Sequence, residues 1–265
     1  MDPLAPLIAA LHSEGRLRVW SLVITVFGDL VQHRGGEIST ARLRLLLGRI
    51  GVEQGTLRTA LSRLSGDGWV AGERSGRTSH YRLTPQGVAR FAPATTRIYA
   101  PPRREPVLRW AAIVSLAENG ASHVRICPAD EAEDTGDCCI VGDLATVSAR
   151  YRAHALSAEH RAALVALAAD LAALRQPICN PLDAAAARVL LIHRWRRIIL
   201  RYPEVAVDLM PGDSPLKDPR AGVAKAYAAL SPATEAWLDG SMEGEGSMPL
   251  CAEETPLRFG STRQA

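Results

Sequence analysis

The side chains best suited to chemistry lie in a basic stretch near the N-terminus. Projected as a helix at about 100° per residue, Arg58, Thr59, Ser62 and Arg63 fall on one side of their segment. Arginine can bond two acceptor atoms of guanine at once, and serine or threonine can contact bases or phosphates. These residue types at this spacing therefore point to contact with the major groove of DNA.

A second basic group follows in "WVAGERSGRTSHYRL", residues 69–83. Two strand-like runs meet there at Ser75-Gly76, as in a two-residue hairpin turn. Arg74, Arg77 and His80 lie at or near the tip, and such residues grip phosphates or enter a minor groove. The alternative interpretation of both basic groups is a solvated surface on a module that binds another protein.

Three helical segments with apolar stripes must position these side chains. The stripes consist of Trp20, Val23, Ile24, Phe27, Leu30 and Val31, then Leu43, Leu46, Leu47 and Ile50, then Leu57, Ala60, Leu61 and Leu64. Ser39 and Thr40 are candidate N-caps of the second helix, and Gly51-Val52 is a tight turn before the third. Two helices joined by a turn and followed by a hairpin predict a winged helix-turn-helix.

Composition supports a globular protein with an uneven charge. The 265 residues are 47% hydrophobic and 22% charged, with a net charge of +3. Residues 42–82 hold eight arginines and three acids, whereas residues 126–149 hold six acids and no basic residue. The apolar runs are too short to span a bilayer and the N-terminus lacks the basic start of a signal peptide, so we expect a cytoplasmic protein.

Motifs for metal, nucleotide or nucleophile chemistry are missing from the sequence. The five cysteines show no CxxC spacing, and no P-loop, GxGxxG, GxSxG or HExxH occurs. We therefore expect no metal, no cofactor and no enzymatic activity. The fold class is expected to be mainly α with small β elements (α+β).

The chain divides by composition into five parts. The C-terminal helical part is expected to dimerise, with Trp195, Trp237 and the residues around Leu230 at the dimer interface. The parts are a winged helix-turn-helix (16–92), a Pro-rich linker (93–106), a small middle α/β domain (107–150), a helical domain (151–240) and a flexible tail (241–265). Middle-domain strands are predicted near 107–116, 122–127 and 138–144.

Several segments resemble the PaaX family, the phenylacetic-acid-degradation repressors. They are "SLVITVFGDLVQHRGG", "GVEQGTLRTALSRLSGDGWVAGERSGRTSHYRLTPQGVARF", "RIYAPP", "LIHRWRRIILRYPEVAVDLMPGD" and "AKAYAALSPATEAWL". The resemblance implies a winged helix that binds operator DNA as a homodimer, with repression relieved by an aryl-acetyl-CoA thioester such as phenylacetyl-CoA. The family's middle domain is ferredoxin-like; here it is short and lacks the expected intervening helix.

The resemblance also directs attention to a helix that begins near Asn180-Pro181 and ends at Tyr202-Pro203. Arg194, Arg197 and Arg201 could bind the phosphates of an acyl-CoA effector, and Trp195 could pack against its aryl group. The alternative is a buried helix with a solvated or acid-paired basic stripe.

The leading hypothesis is thus a dimeric repressor that binds double-stranded operator DNA and no membrane. A transcriptional activator and an effector-independent regulator remain alternatives, because the sign of regulation depends on where the operator lies. The alternative from another class is an enzyme acting on a CoA thioester, with the winged helix as an interaction module.

Overall fold

The computed structural model describes residues 2–13, 15, 17–75, 78–132, 136–242, 246–250 and 258–260. Its first elements are α1 (Ala5–Ser13), α2 (Val19–Val26, continued by a π-helical turn Phe27–Val31), β1 (Glu37–Ser39), α3 (Thr40–Arg49), α4 (Gln54–Gly66), β2 (Val70–Ser75), β3 (Thr78–Leu83) and α5 (Pro85–Ile98). They are followed by β4 (Trp110–Leu116), β5 (Ser122–Pro128), β6 (Cys138–Gly142), α6 (Ala149–His154), α7 (Ala158–Ala173), α8 (Pro181–Ile199) and α9 (Pro219–Asp239).

This content confirms the expected fold class. The structure is 54% helical and holds two three-stranded antiparallel sheets, so it is mainly α with small β elements. Among the described residues, no helix combines the length and apolar character needed to cross a membrane.

The first sheet has the strand order β1-β3-β2. The hairpin of β2 and β3 is paired from Val70 and Leu83 to Ser75 and Thr78. Ser75, predicted in the turn, therefore ends β2 instead, because its pairing with Thr78 extends the ladder. Gly76 and Arg77 lie outside the described residues.

The second sheet has the order β5-β4-β6 and lies close to the predicted strand positions. Only turn residues connect β4 to β5, and only a 3₁₀ turn is described between β5 and β6, Ala129–Glu131. Within the described part of 110–142 there is accordingly no α-helix. The sheet buries a small cluster on one face, Ala111, Ile113 and Cys127.

One hydrophobic core joins the N-terminal unit to the C-terminal helices. Helix α2 packs against both α4 and α8, and α3 and α5 also contact α8. The sequence predicts burial of only one side of α2. In the structure the helix is buried on nearly every side, including Thr25 and Asp29. The regions 16–92 and 151–240 share this core.

Helix α5 crosses the boundary expected at residue 92. Thr84 caps its N-terminus, since its hydroxyl accepts a hydrogen bond from the backbone N–H of Gly87 at 2.9 Å. Phe91 and Ile98 are both buried in the shared core. The helix thus continues into the predicted linker, because its C-terminal half also has an apolar side to bury.

A charged cluster is buried at the centre of this core; we call it the Asp29 cluster. It comprises Asp29, Tyr99, Arg188, Tyr227 and Arg258. The Asp29 carboxylate accepts hydrogen bonds from Arg188 Nε at 2.9 Å and from the Tyr99 hydroxyl at 2.8 Å, and it also pairs with Arg258. Burial alone would raise the pKa of Asp29, but the charges of Arg188 and Arg258 hold it below its ordinary value.

The tail expected to be flexible is partly packed against the core. Arg258 donates to the carbonyl of Gly28 at 2.7 Å, and Phe259 is buried, with its N–H donating to the Tyr99 carbonyl at 2.8 Å. The N–H of Met248 donates to the carbonyl of Leu238 at 3.0 Å. Met248, Arg258 and Phe259 of the tail thus contact the rest of the chain, whereas most of the other residues from 241 onward lie outside the described ones.

The C-terminal helices begin and end close to the predicted residues. The Asn180 side chain caps α8 by accepting from the Asp183 N–H at 3.0 Å, and the helix ends at Ile199, just before Tyr202-Pro203. The residues expected at a dimer interface, by contrast, are core residues of a single chain: Trp195, Leu230 and Trp237. Their apolar area is already covered by neighbouring helices, so it is not available to a partner.

Candidate nucleic-acid interface and effector site

The candidate reading helix is α4, which follows α3 after a short turn. The Ser39 hydroxyl caps α3 by accepting from the Arg42 N–H at 3.0 Å. Gly51 has φ +87° in the turn, a left-handed conformation that side chains other than glycine rarely adopt. α4 then packs against α2 and α3 through the four predicted residues, Leu57, Ala60, Leu61 and Leu64.

The opposite side of α4 faces solvent and carries all four predicted polar residues. Arg58, Thr59, Ser62 and Arg63 are exposed. The Thr59 hydroxyl donates to the Gly55 carbonyl within the helix at 3.1 Å. Arg63 Nε lies 3.6 Å from the Asp67 carboxylate, with both side chains more than half exposed, so this ion pair is weak. Opening it for contact with a phosphate or a base would cost little.

Two of the three residues predicted near the tip of the β2–β3 hairpin lie in the described part of the chain. Arg74 is exposed one residue before the end of β2, whereas Arg77 lies outside the described residues. His80 is further from the tip, and its Nδ1 lies 3.1 Å from the Glu37 carboxylate on β1. Glu73 is its directly paired residue on β2. The two carboxylates make His80 the least suitable of the three for contact with a phosphate.

Some of the eight arginines in residues 42–82 bond partners within the molecule. Arg42 is buried and donates to the carbonyls of Trp237 and Gly240, each at 2.8 Å. Arg49 bonds Asp2 and Asp183 at 2.5 and 2.6 Å. The density of arginine in the sequence therefore overstates the charge available to DNA.

The structure adds Arg44 to the candidate surface. It is exposed on α3, opposite the apolar stripe of Leu43, Leu46 and Leu47. The first helix of a helix-turn-helix crosses the DNA backbone, so an exposed arginine there can reach a phosphate. The helical projection that identifies Arg58 and Arg63 on α4 also identifies Arg44 when it is applied to α3.

The four candidate effector residues do not form one site. Arg194 pairs with the buried carboxylate of Asp170 and, with Arg197, lines a space of only about 10 Å³ beside α1. Arg201 is exposed beyond the end of α8, with its guanidinium 5.4 Å from the centre of the Tyr202 ring. Trp195 points elsewhere, because adjacent helical residues are about 100° apart. The row of three arginines is therefore not a single receptor for phosphates.

Trp195 instead lines a cavity of about 420 Å³. Its Nε1 donates to the Ile98 carbonyl at 2.9 Å, so the indole contacts the end of α5 as well as the cavity. The cavity lies between the segment after α5, the end of β5, and helices α7, α8 and α9. No local pattern in the sequence predicts this cavity, because its walls come from segments far apart in the chain.

In the described part of the chain, no three His, Cys, Asp or Glu side chains lie close enough together to hold a metal ion. Cys127 is buried, whereas Cys138 and Cys139 are exposed on β6.

Comparison with known proteins yields matches at both ends of the chain. A family model described as "PaaX-like protein" matches residues 18–87, and one described as "PaaX-like protein C-terminal domain" matches residues 143–240. The "Transcriptional repressor PaaX" of Escherichia coli (strain K12) is 40% identical over 79 residues. That match spans 30% of this chain and 25% of the relative's own length.

Proposed function

This chain belongs to the PaaX family, and on that premise we propose that it is a DNA-binding transcriptional regulator. Residues 16–92 act as a winged helix-turn-helix, with α4 in the major groove and the β2–β3 hairpin on the flanking backbone. The observation that carries the proposal is the exposed face of α4, where two arginines, a threonine and a serine project from a helix whose other side is firmly packed.

Specificity and affinity come from different residues. Arg58, Thr59, Ser62 and Arg63 contact bases or the nearest phosphates. Arg44, Arg74 and Arg77 act mainly on phosphates, which contribute affinity without reading sequence.

The regulator is a repressor that an aryl-acetyl-CoA thioester, such as phenylacetyl-CoA, releases from its operator. Both the name of the similar E. coli protein and the family resemblance support this sign of regulation. The thioester must bind the DNA-free conformation more tightly, because equal affinity for both conformations would shift nothing. No cofactor and no enzymatic step is required. The protein works beside chromosomal DNA, in the cytoplasm.

The functional unit is a homodimer, and the second sheet offers the contact surface. Leu116, Val124 and Ile140 are 63%, 58% and 63% exposed. Because Val124 pairs with Val114 and Ile140 with Ala112, and residues of β4 two apart share a face, all three lie on the face opposite the buried cluster. A second copy seated there would bury this apolar face and pair two reading helices on a palindromic site.

Selection of bound fragments from the source genome tests the proposal. The protein should enrich discrete sites, and its affinity for them should fall steeply with salt, as phosphate contacts require. Failure to enrich any fragment at low salt would contradict DNA binding and favour an interaction module attached to another activity. Genes beside the enriched sites would identify the regulated pathway.

A further inference from the structure

Two exposed arginines near the C-terminal end of α4 are each stacked on a tryptophan. The Arg63 guanidinium lies over the Trp20 ring, 5.4 Å from its centre, and the Arg90 guanidinium lies over the Trp69 ring at 5.0 Å. Both tryptophans are partly buried and pack against the hydrophobic core, so they are fixed platforms. A cation–π contact within about 6 Å restrains a guanidinium that would otherwise move freely in solvent.

Asp67 links the two arginines. Its carboxylate lies 3.6 Å from Arg63 Nε, and its backbone carbonyl accepts a hydrogen bond from Arg90 Nη1 at 3.0 Å. Because Arg90 is on α5 and Trp20 is on α2, side chains from three helices meet at the end of α4. We call this group the Asp67 patch; it comprises Trp20, Arg63, Asp67, Trp69 and Arg90.

The Asp67 patch has an excess of positive charge. It holds two guanidinium groups and one carboxylate, and within the described residues Arg90 has no carboxylate at ion-pair distance. The pair of Arg63 with Asp67 is more than half exposed, so solvent weakens it. Guanidinium groups held in a fixed plane match the oxygens of a phosphate well. The patch is therefore suited to a phosphate.

The length of α4 indicates which phosphate the patch can reach. The helix has 13 residues and is about 19 Å long, whereas the major groove is about 12 Å wide. The N-terminal residues of a reading helix contact the base edges. When Arg58 lies in the groove, the last turn of α4 therefore overlies the sugar-phosphate backbone at the edge of the groove.

We propose that the Asp67 patch is a phosphate clamp on the backbone of the operator. Arg63 and Arg90 bind the DNA, and Trp20 and Trp69 hold the planes of their guanidinium groups. The proposal deepens the proposed function and rests on it for the identity of the polyanion. It assigns Arg63 to phosphate rather than to a base, and it adds Arg90, which lies outside both the reading helix and the hairpin.

Fluorescence anisotropy with labelled operator and with scrambled DNA, at several salt concentrations, tests the clamp. Arg63→Ala and Arg90→Ala should each weaken binding to both DNAs about tenfold, and should reduce the slope of log affinity against log salt by about one unit. Arg58→Ala should instead reduce the discrimination between the two DNAs. Arg175→Ala, exposed after α7, is the matched control. Parental affinity and slope in either clamp variant would overturn the proposal.

A substitution at Asp67 provides a test of the opposite sign. In Asp67→Asn the amide neither repels phosphate nor holds Arg63 as an ion pair, while the backbone carbonyl still accepts from Arg90. Binding to both DNAs should tighten about threefold. Asp213→Asn, whose exposed carboxylate pairs with Arg161, is the matched control. Unchanged or weaker binding by Asp67→Asn would contradict a phosphate at the patch.

Trp20 is a positioning residue, because it acts on DNA through Arg63. Trp20→Leu should weaken binding to both DNAs about threefold, whereas Trp20→Phe, which keeps an aromatic ring, should stay close to the parent. In Trp20→Leu/Arg63→Ala the loss should equal that of Arg63→Ala alone. Additive losses would show that Trp20 acts by another route. The unfolding midpoint of each variant checks that it is folded.

These measurements separate the clamp from the proposed function. A parent that binds operator, with Arg63→Ala and Arg90→Ala keeping its affinity and salt slope, would overturn the clamp and leave the proposed function standing. A parent that binds no DNA at low salt would contradict both. Uniform loss in the two arginine variants, together with tighter binding by Asp67→Asn, is the result that supports the clamp.

Discussion

Asp29 and Arg188 form an ion pair of 2.9 Å, with side chains 0% and 4% exposed, between residues 159 positions apart in the chain. One belongs to the helical support of the reading helix and the other to α8. Buried charges of this kind are expensive to desolvate and are tolerated only when they are paired and hydrogen-bonded. The pair therefore ties the N-terminal unit to the C-terminal helices.

Loss of Asp29 should be strongly destabilising. Asp29→Ala leaves Arg188 and Arg258 buried without their shared carboxylate, and removal of one partner of a buried pair typically costs about 3–5 kcal/mol. Urea denaturation at neutral pH measures the change in the free energy of unfolding. Glu73→Ala is the control: its pair with Arg82 is half exposed, so it should cost less than about 1 kcal/mol. Equal effects of the two substitutions would contradict this account.

Acid should destabilise the fold partly through His193. Burial lowers the pKa of His193 to about 3, and its Nδ1 lies 3.0 Å from the Thr25 hydroxyl. The unfolded chain takes up this proton near pH 6.5 and the folded chain does not, so stability is lost as the pH falls from 6.5 towards 3.

The slope from His193 should approach about 1.4 kcal/mol per pH unit within that window. Unfolding midpoints of the parent and His193→Gln, compared between pH 7 and pH 4.5, measure it; the variant should show the weaker dependence. His12→Gln, at an exposed position, is the matched control. An unchanged pH dependence in His193→Gln would show that His193 accepts its proton in the folded state.

Loss of the arginines of α4 should weaken DNA binding without destabilising the fold. Arg58→Ala or Arg63→Ala should weaken operator binding by about 1–3 kcal/mol wherever the arginine makes a bidentate base contact. Both side chains are exposed, so the unfolding midpoint should stay close to that of the parent. Fluorescence anisotropy with labelled operator measures affinity, and Arg175→Ala, exposed after α7, is the matched control. Parental affinity in both single variants would place the reading surface elsewhere.

The hairpin arginines should act on phosphates. Arg74→Ala or Arg77→Ala should weaken binding to operator and to scrambled DNA alike, and should reduce the slope of log affinity against log salt by about one unit. Binding at several salt concentrations provides the slope. A loss of discrimination between the two DNAs with an unchanged slope would instead assign these arginines to bases.

The exposed face of the second sheet should mediate dimerisation. Light scattering at micromolar concentration should give twice the chain mass of 28.5 kDa for the parent. Val124→Asp or Ile140→Asp should yield the monomer, because a charge on each of two facing copies opposes association. Glu118→Lys, in the turn after β4, serves as a control outside that face. A parent that stays at 28.5 kDa even with operator would exclude the dimer.

Local patterns in the sequence predicted the local structure well. The period of apolar residues identified both faces of α4, and Ser39 and Asn180 cap the helices they were expected to cap. These features depend on neighbouring residues, so they can be read from a short window. The turn residue Ser75 was misplaced by one position, because a hairpin's register depends on the pairing of both strands.

Long-range partners could not be predicted in the same way. Arg42 and Arg49 resemble the other arginines of their window, and only helices more than 130 residues away turn them inward. Trp195 likewise bonds the end of α5 and lines the cavity, and both depend on segments distant in the sequence. Asp29 lies within the apolar stripe of its helix, and a carboxylate at such a position predicts a buried cation as its partner. The pattern does not identify which cation that is.

The Asp29 cluster also bears on how the chain folds as it is made. The helix that carries Asp29 leaves the ribosome long before Arg188 and longer still before Arg258, and until then its carboxylate has neither arginine beside it. The N-terminal unit therefore completes its core only after the segment that carries Arg258 has been synthesised. Residues 16–92 expressed alone would expose the apolar surface that α8 covers and leave Asp29 without either arginine.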